Sequence, residues 1–161
     1  MIKHFITVCL VTLLTGLHSQ SINISNGELF DGEPFMVVNS TNTSHIVIAW
    51  MGFDGLNLIT MKLKISEDGG LTWSAPITLP HINTGYTCAD PSMGYDNAGN
   101  LFLSYIDYNP FGTSGKAIVR KSTDGGYTWG DPVEVMDVVS DPGEAAVDRP
   151  WMVIDKSGTA T

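Results

Sequence analysis

Cysteine, positive charge and long apolar segments are all scarce in this 161-residue chain. It has two cysteines, Cys9 and Cys88, and its eight lysines and arginines are outnumbered by 17 acidic residues, for a net charge of −9. Nucleic acid is not an expected partner, because phosphate backbones bind basic surfaces. No apolar run reaches the roughly 20 residues that a membrane-spanning helix needs, so no membrane span is predicted.

Residues 1–19 have the order of a secretory signal peptide. A short basic start containing Lys3 precedes an apolar run from Phe5 to Leu17, which is too short to cross a bilayer. We predict cleavage after Ser19 and a secreted or extracytoplasmic protein, at the cell surface or in a periplasm. Only Cys88 then remains, so no intramolecular disulfide is expected, although export would permit one.

Two short motifs recur with one period along the rest of the chain. Pro-x-Met-x-x-Asn/Asp occurs three times, at Pro34–Asn39, Pro91–Asp96 and Pro150–Asp155. Ser-x-Asp-Gly-Gly-x-Thr-Trp occurs twice, at Ser66–Trp73 and Ser122–Trp129. The shared period of about 55 to 60 residues favours a four-stranded propeller blade over helical repeats of roughly 33 to 47 residues.

Runs of β-branched and aromatic residues fill the intervals, separated by clusters of Gly, Asn, Asp and Pro. This pattern predicts an all-β fold with four strands in each unit and no helix after the signal peptide. The units span about residues 28–80 and 88–138, and residues 148–161 begin a third unit that is cut short. The predicted strands are Phe35–Val38, His45–Trp50, Leu58–Ile65 and Ala75–Leu79 in the first unit and Ser92–Tyr95, Leu101–Tyr105, Ala117–Lys121 and Val133–Met136 in the second.

The Ser-x-Asp-Gly-Gly-x-Thr-Trp strings resemble the Asp box, or BNR repeat, of the sialidase superfamily. This resemblance implies a β-propeller of sialidase type, of which the chain forms an N-terminal fragment of about two and a half blades. It also implies that the boxes are structural turns on the face opposite the ligand site, with glycine at positive φ, Asp as acceptor and Trp beneath the hairpin. The matching positions are Ser66, Asp68, Gly70, Thr72 and Trp73 in the first box and Ser122, Asp124, Gly126, Thr128 and Trp129 in the second.

The resemblance also indicates which residues face a ligand. Glu33, Asp90, Asp148 and Arg149 stand where equivalent strands begin, next to the expected functional face, and are candidate ligand-binding residues. Asp54 lies in the loop that carries the acid/base Asp of sialidases, and it is the candidate catalytic residue. Each carboxylate has an alternative role as a turn cap. No metal ion and no cofactor are expected.

Sialidases hold the substrate carboxylate with three arginines, which suit a planar anion better than lysines do. This chain has two arginines. Arg120 lies beside the second Asp box and is expected to face away, which leaves Arg149 alone near the functional face. Gly32-Glu33-Pro34 stands where the family has Arg-Ile-Pro, so the first arginine is missing, and the family's Tyr and Glu pair would fall beyond Thr161.

Three functions therefore remain open at this point. The first is a propeller that binds an extracellular protein or a glycan, sialylated or not, without catalysis. The second is an exo-α-sialidase or related glycoside hydrolase with an altered arginine clamp. The third is a structural module of a larger surface protein. Further arginines and a Tyr/Glu pair in later sequence would favour the enzyme.

Overall fold

Two four-stranded antiparallel sheets form most of the structure, a computed structural model that describes residues 21–26, 30–55, 58–140 and 147–157. Within those ranges there is no helix, and hence none that is long and apolar enough to span a bilayer. The all-β prediction is confirmed. The predicted signal peptide lies outside the described residues.

In both sheets the strands pair in chain order, each with the next. The first sheet contains β1 (Asp31–Asn39), β2 (Asn42–Phe53), β3 (Ile59–Ser66) and β4 (Ile77–Thr78), and the second contains β5 (Thr87–Tyr95), β6 (Leu101–Tyr108), β7 (Gly115–Ser122) and β8 (Val133–Asp137).

All eight predicted strands are present, but their ends differ from the prediction. We placed Glu33-Pro34 and Asp90-Pro91 immediately before strands, whereas β1 and β5 continue through both dipeptides. The ladder tolerates proline because the register shifts between Gly32 and Phe35 and between Ala89 and Ser92, which takes each dipeptide out of the pairing. These two irregularities are called the proline bulges below.

The hydrophobic core lies between the two stacked sheets. Strand β5 contacts β1, β2 and β3 of the first sheet and is hydrogen-bonded to β6 on its own. The alternation of apolar residues along β2 and β3 supplies one wall, as expected for strands with one buried face. The core side chains include Val47, Ala49, Met61, Leu63, Ile65, Met93, Tyr95, Leu101, Leu103, Tyr105 and Ile118.

Residues 147–157 run beside β5 and contain no assigned strand. The backbone N–H of Met152 donates to Ser92 Oγ at 3.1 Å. A Cβ at Gly94 would lie 2.6 Å from Cγ1 of Ile154, so a larger residue here would displace the Ile154 side chain. These contacts join positions that are one sequence repeat apart, as expected for neighbouring repeats that pack side by side.

An apolar surface of the second sheet is open to solvent on the side away from the first sheet. Val135, Trp151 and Val153 are 66%, 83% and 92% exposed, respectively. They line a groove of about 530 Å³ together with Ala117, Val119 and Met136 among others. Contiguous exposed apolar surface of this kind favours association.

We predict that residues 20–161, expressed alone, self-associate through this surface. Val135→Lys should shift the chain toward monomer in size-exclusion chromatography with light scattering, because a lysine there cannot be buried against a second apolar face. Leu71→Lys is the matched control, since Leu71 is 77% exposed in the first Asp box. A monodisperse wild-type monomer, or equal effects of both substitutions, would contradict the prediction.

Candidate functional site

Three residues that precede proline share an unusual backbone conformation. Glu33, Asp90 and Arg149 have φ values of 50°, 60° and 50°, in the left-handed region that non-glycine residues seldom occupy. A following proline further restricts such residues, favouring extended conformations. The same conformation occurs immediately before all three copies of the Pro-x-Met motif, so it recurs with the period of the sequence repeat.

The conformation brings the three side chains to one place. Glu33, Asp90 and Arg149 line a cavity of about 230 Å³ together with the prolines that follow them. A bulge turns a side chain away from the regular alternation of a strand, and such bulges often occur next to functional sites. The structure thus brings together three of the residues that we predicted to bind a ligand.

A second, larger cavity of about 540 Å³ adjoins the first, sharing Glu33 and Asp90 with it. Asp148 also lines it, so the fourth predicted ligand-binding residue belongs to the same region. The floor is apolar, and Tyr108 and Ser114 are the nearby hydroxyl-bearing residues. The apolar residues of this cavity are Met51, Ala89, Ile106, Val138 and Val147.

Asp90 is the centre of this acidic region. Burial raises its pKa, and a hydrogen bond with the Glu33 carboxyl group raises it further. The backbone N–H of Arg149 donates to Asp90 Oδ2 at 3.1 Å, and a hydrogen bond with Asp148 also acts on this carboxyl group. Glu33 and Asp90 therefore form a hydrogen-bonded pair of carboxyl groups.

Lys116 is the cationic side chain that lines the larger cavity, but two carboxylates already bind it. Its Nζ contacts Glu134 and lies 3.1 Å from Oδ2 of Asp137. The hydrogen bond to Glu134, followed by that to Asp137, raises the pKa of the lysine. The balance of charge around the cavity therefore remains acidic.

Asp54, the predicted acid/base, lies apart from the other candidates. It lines a different cavity, of about 390 Å³, with Asp31, Trp50 and Lys62 among others. Trp50 pairs with Lys62 on the face of the first sheet opposite the buried Ala49. Asp54 therefore lies beside the outer face of that sheet, and neither cavity lined by Glu33 and Asp90 includes it.

The two Asp boxes form nearly identical turns. In the first, Asp68 accepts hydrogen bonds from Thr72 N at 2.8 Å and Thr72 Oγ1 at 2.6 Å, while Ser66 Oγ accepts from Gly70 N at 2.8 Å. Trp73 Nε1 donates to the Gly70 carbonyl at 3.2 Å. The second box repeats these contacts with distances of 2.9, 2.6, 2.8 and 2.9 Å, through Ser122, Asp124, Gly126, Thr128 and Trp129.

The hydrogen bonds also fix the charge of both boxes. Those from Thr72 lower the pKa of Asp68 to about 2. Burial opposes the change at Asp124, but hydrogen bonds from Thr128 and Ser122 outweigh it and lower that pKa to about 2 as well. Both carboxylates lie at the surface, so they stabilise the turns without being buried.

Strand register separates the boxes from the acidic cavities. Ser66 pairs with Ile46 at one end of the first sheet, whereas Asp31 pairs with Gly52 near the other. In the second sheet Ser122 pairs with Leu101, and Thr87 pairs with Tyr108 at the opposite end. The larger acidic cavity, which Met51, Tyr108 and Gly115 line, therefore lies toward the ends of both sheets that are opposite the boxes.

Arg120 is a core residue and takes no part in either acidic cavity. Its guanidinium donates to Tyr105 Oη at 2.9 Å and to the carbonyls of Gly130 and Pro80 at 3.0 Å each. It thereby ties β7 to the segment that links the two sheets. The described residues contain no group of His, Cys, Asp and Glu that could hold a metal ion.

Sequence reasoning missed the apolar floor of the larger cavity. Met51 and Ala89 are apolar residues of the kind found in any protein core, and they belong to no motif. Ile106 and Tyr108 alternate along β6 with the buried Asp107, and this alternation was the available signal. Only the pairing of β6 with β5 shows which face of β6 lies against the proline bulge at Asp90-Pro91.

No protein-family model and no curated protein matches this chain. Among solved structures it is similar to one described as Hadza microbial sialidase Hz136, with 19% sequence identity and a TM-score of 0.47. The match covers 64% of this chain and 24% of that one, so the chain spans about a quarter of its length.

We predict that Trp129→Ala lowers the free energy of unfolding by about 2 to 3 kcal/mol, somewhat less than for a fully buried tryptophan. Trp129 is half-buried against the core. Trp151→Ala is the control, because a side chain that is 83% exposed should change stability by no more than about 0.5 kcal/mol. Urea unfolding measures both variants. Equal losses of unfolding free energy in Trp129→Ala and Trp151→Ala would contradict the structural role of Trp129.

We predict that Asp90→Asn is more thermally stable than wild type at pH 7, with the difference shrinking toward pH 3.5. A carboxyl group whose pKa is raised on folding loses stability as pH rises through and above its usual range, and asparagine does not titrate. Asp155→Asn should be less thermally stable than wild type at pH 7, since hydrogen bonds from Ser157 lower the pKa of Asp155. Melting temperatures at both pH values test this, and a less stable Asp90→Asn at pH 7 would contradict it.

Proposed function

We propose that this chain is part of a secreted, sialidase-like Asp-box β-propeller that binds a glycan or protein ligand outside the cell. Residues 28–80 and 88–138 would be its first two blades, and residues from 148 onward would begin the third. The ligand would bind through Glu33, Asp90, Asp148 and Arg149. The Asp boxes would serve folding at the opposite end.

The convergence of the proline bulges carries this proposal. Glu33 and Asp90 lie on bulges of two different sheets, and Arg149 has the same backbone conformation one repeat after Asp90. Backbone strain of this kind costs stability and persists where the surrounding structure over-determines it, as it often does at ligand sites. Its recurrence at cavity-lining positions favours a role in recognition over a role in folding.

The charge of the cavities indicates the kind of ligand. Three carboxylates line the larger one, and its lysine is already bound by Glu134 and Asp137. A sialic acid carboxylate would meet repulsion there, because like charges at close range disfavour binding. The proposed ligand is therefore a neutral glycan or a protein surface without excess negative charge.

Glycoside hydrolysis is the second candidate, and the contact between Glu33 and Asp90 is the observation that favours it. Burial and the Glu33 carboxyl group raise the pKa of Asp90, which favours its protonated form. Most glycoside hydrolases use a pair of carboxyl groups, one of them as a protonated acid. The family resemblance implies Asp54 as the acid/base residue. Asp54 would then act from a cavity that the Glu33 and Asp90 pair does not line.

We predict that Glu33→Gln and Asp90→Asn in the full-length protein weaken ligand binding about tenfold or more, because each removes a charged hydrogen-bonding group. Glycan arrays, and pull-down of extracellular proteins by the full-length protein, would identify the ligand. Asp131→Asn is the matched control, since Asp131 is exposed near the second Asp box. Unchanged affinity in both site variants would contradict the proposal.

The same protein samples should be assayed on an activated sialoside and an activated neutral glycoside. Turnover that Asp54→Asn reduces by a factor of about 10² to 10⁴ would support the hydrolase and the acid/base assignment. Turnover lost in Asp90→Asn but kept in Asp54→Asn would place the chemistry at the carboxyl pair. Binding without turnover favours the first proposal.

A further inference from the structure

A buried histidine connects the two Asp-box turns. The side chain of His45, near the start of β2, is 8% exposed. Its Nδ1 lies 2.9 Å from Oε2 of Glu67 in the first box, and its Nε2 lies 2.8 Å from the carbonyl oxygen of Gly125 in the second. One imidazole thus bridges turns that belong to different sheets.

Both partners of this ring are hydrogen-bond acceptors. A neutral imidazole has one N–H donor and one acceptor nitrogen, whereas the imidazolium ion has two donors. A peptide carbonyl carries no proton, and neither does an ionised glutamate. A neutral ring would therefore leave one of the two short contacts as a repulsion between lone pairs. Only the doubly protonated ring satisfies both.

The groups around the ring support a positive charge. Its hydrogen bond lowers the pKa of Glu67, which favours the ionised carboxylate. Tyr127 Oη donates to the other glutamate oxygen, Oε1, at 3.1 Å. Both carboxylate oxygens are thereby engaged, and Glu67 is fixed between the ring and the second box.

The remaining titratable neighbours do not compete for this proton near neutral pH. Tyr95 of β5 faces the ring edge-on, with centroids 6.2 Å apart, and burial raises its pKa. Burial and the contact with Glu67 raise the pKa of Tyr127. Asp124, whose charge also acts on Tyr127, has a pKa of about 2. The negative charges around the ring therefore persist from mild acid upward.

The second turn is shaped for this contact. Gly125 has φ 79°, and a Cβ there would lie 2.7 Å from Cε1 of His45. The equivalent Gly69 of the first box has φ 75°, but a Cβ on it would meet nothing within 4 Å. The two turns share their other hydrogen bonds, so the turn itself does not explain why the ring lies so close to Gly125.

We propose that His45 is an imidazolium ion in the folded protein and that Glu67, His45 and the Gly125 carbonyl form a lock between the two sheets that weakens as pH rises. Loss of one proton removes one of the two hydrogen bonds and the attraction to Glu67. The lock is independent of any ligand.

The direction of the pH effect follows from proton binding. An unfolded histidine is mostly neutral above about pH 6.5, so a folded ring that donates to both Glu67 and the Gly125 carbonyl holds one proton more. The folded state then binds more protons than the unfolded state, and stability falls as pH rises. A full one-proton difference changes the folding equilibrium constant by about tenfold per pH unit.

Nitrogen-15 NMR of histidine-labelled secreted protein at pH 7 tests the charge directly. We expect one-bond N–H couplings at both ring nitrogens of His45, assigned by their loss in His45→Gln. Glu67→Gln should leave a single N–H, because the amide keeps an acceptor oxygen but removes the charge. A single N–H in wild type would overturn the proposal.

Urea unfolding between pH 6 and pH 9 tests the lock. The difference in stability between wild type and His45→Gln should be largest at pH 6 and should shrink toward pH 9. Tyr127→Phe is the matched control, since it removes one hydrogen bond to Glu67 but keeps the imidazole, and its difference from wild type should vary much less with pH. A pH-independent difference for His45→Gln would overturn the proposal.

Discussion

The burial of β5 is the constraint on which the rest of the structure depends. This strand packs against three strands of the first sheet, pairs with β6 and contacts residues 147–157 on its other side. It can do so because Gly94 leaves room for Ile154 and because the bulge at Asp90-Pro91 removes proline from the ladder. Without this strand, neither the core nor the acidic cavities would be assembled.

Much of the fold could be predicted from sequence, because its strongest signals are local. The alternation in β2 and β3 and the turn residues of the Asp boxes indicate strands and reversals wherever they occur. The short β4 and the long β5 were harder to predict. Leu79 continues the pairing of β4 through its bond to Met61 without an assigned strand, and proline at 91 conceals that β5 begins at Thr87.

The candidate site was only partly predictable, for a related reason. Glu33, Asp90, Asp148 and Arg149 could be proposed from their place in the repeat, yet the convergence of three of them depends on a left-handed backbone that the residue before proline seldom adopts. Asp54 illustrates the opposite case. Its position in the chain matched an expected loop, but the direction in which that loop faces is set by the stacking of whole sheets.

At the left-handed positions before proline, the backbone conformation is the same whichever side chain is present. Glutamate, aspartate and arginine occupy equivalent positions with nearly equal φ values, so opposite charges are accommodated by one conformation. In the proposed binding site, exchange at these positions would alter which ligand is recognised while leaving the sheets intact. Under that proposal each repeat would contribute one position to the selectivity of the site, and the contacts of Asp90 with Glu33 and Arg149 would couple the three positions.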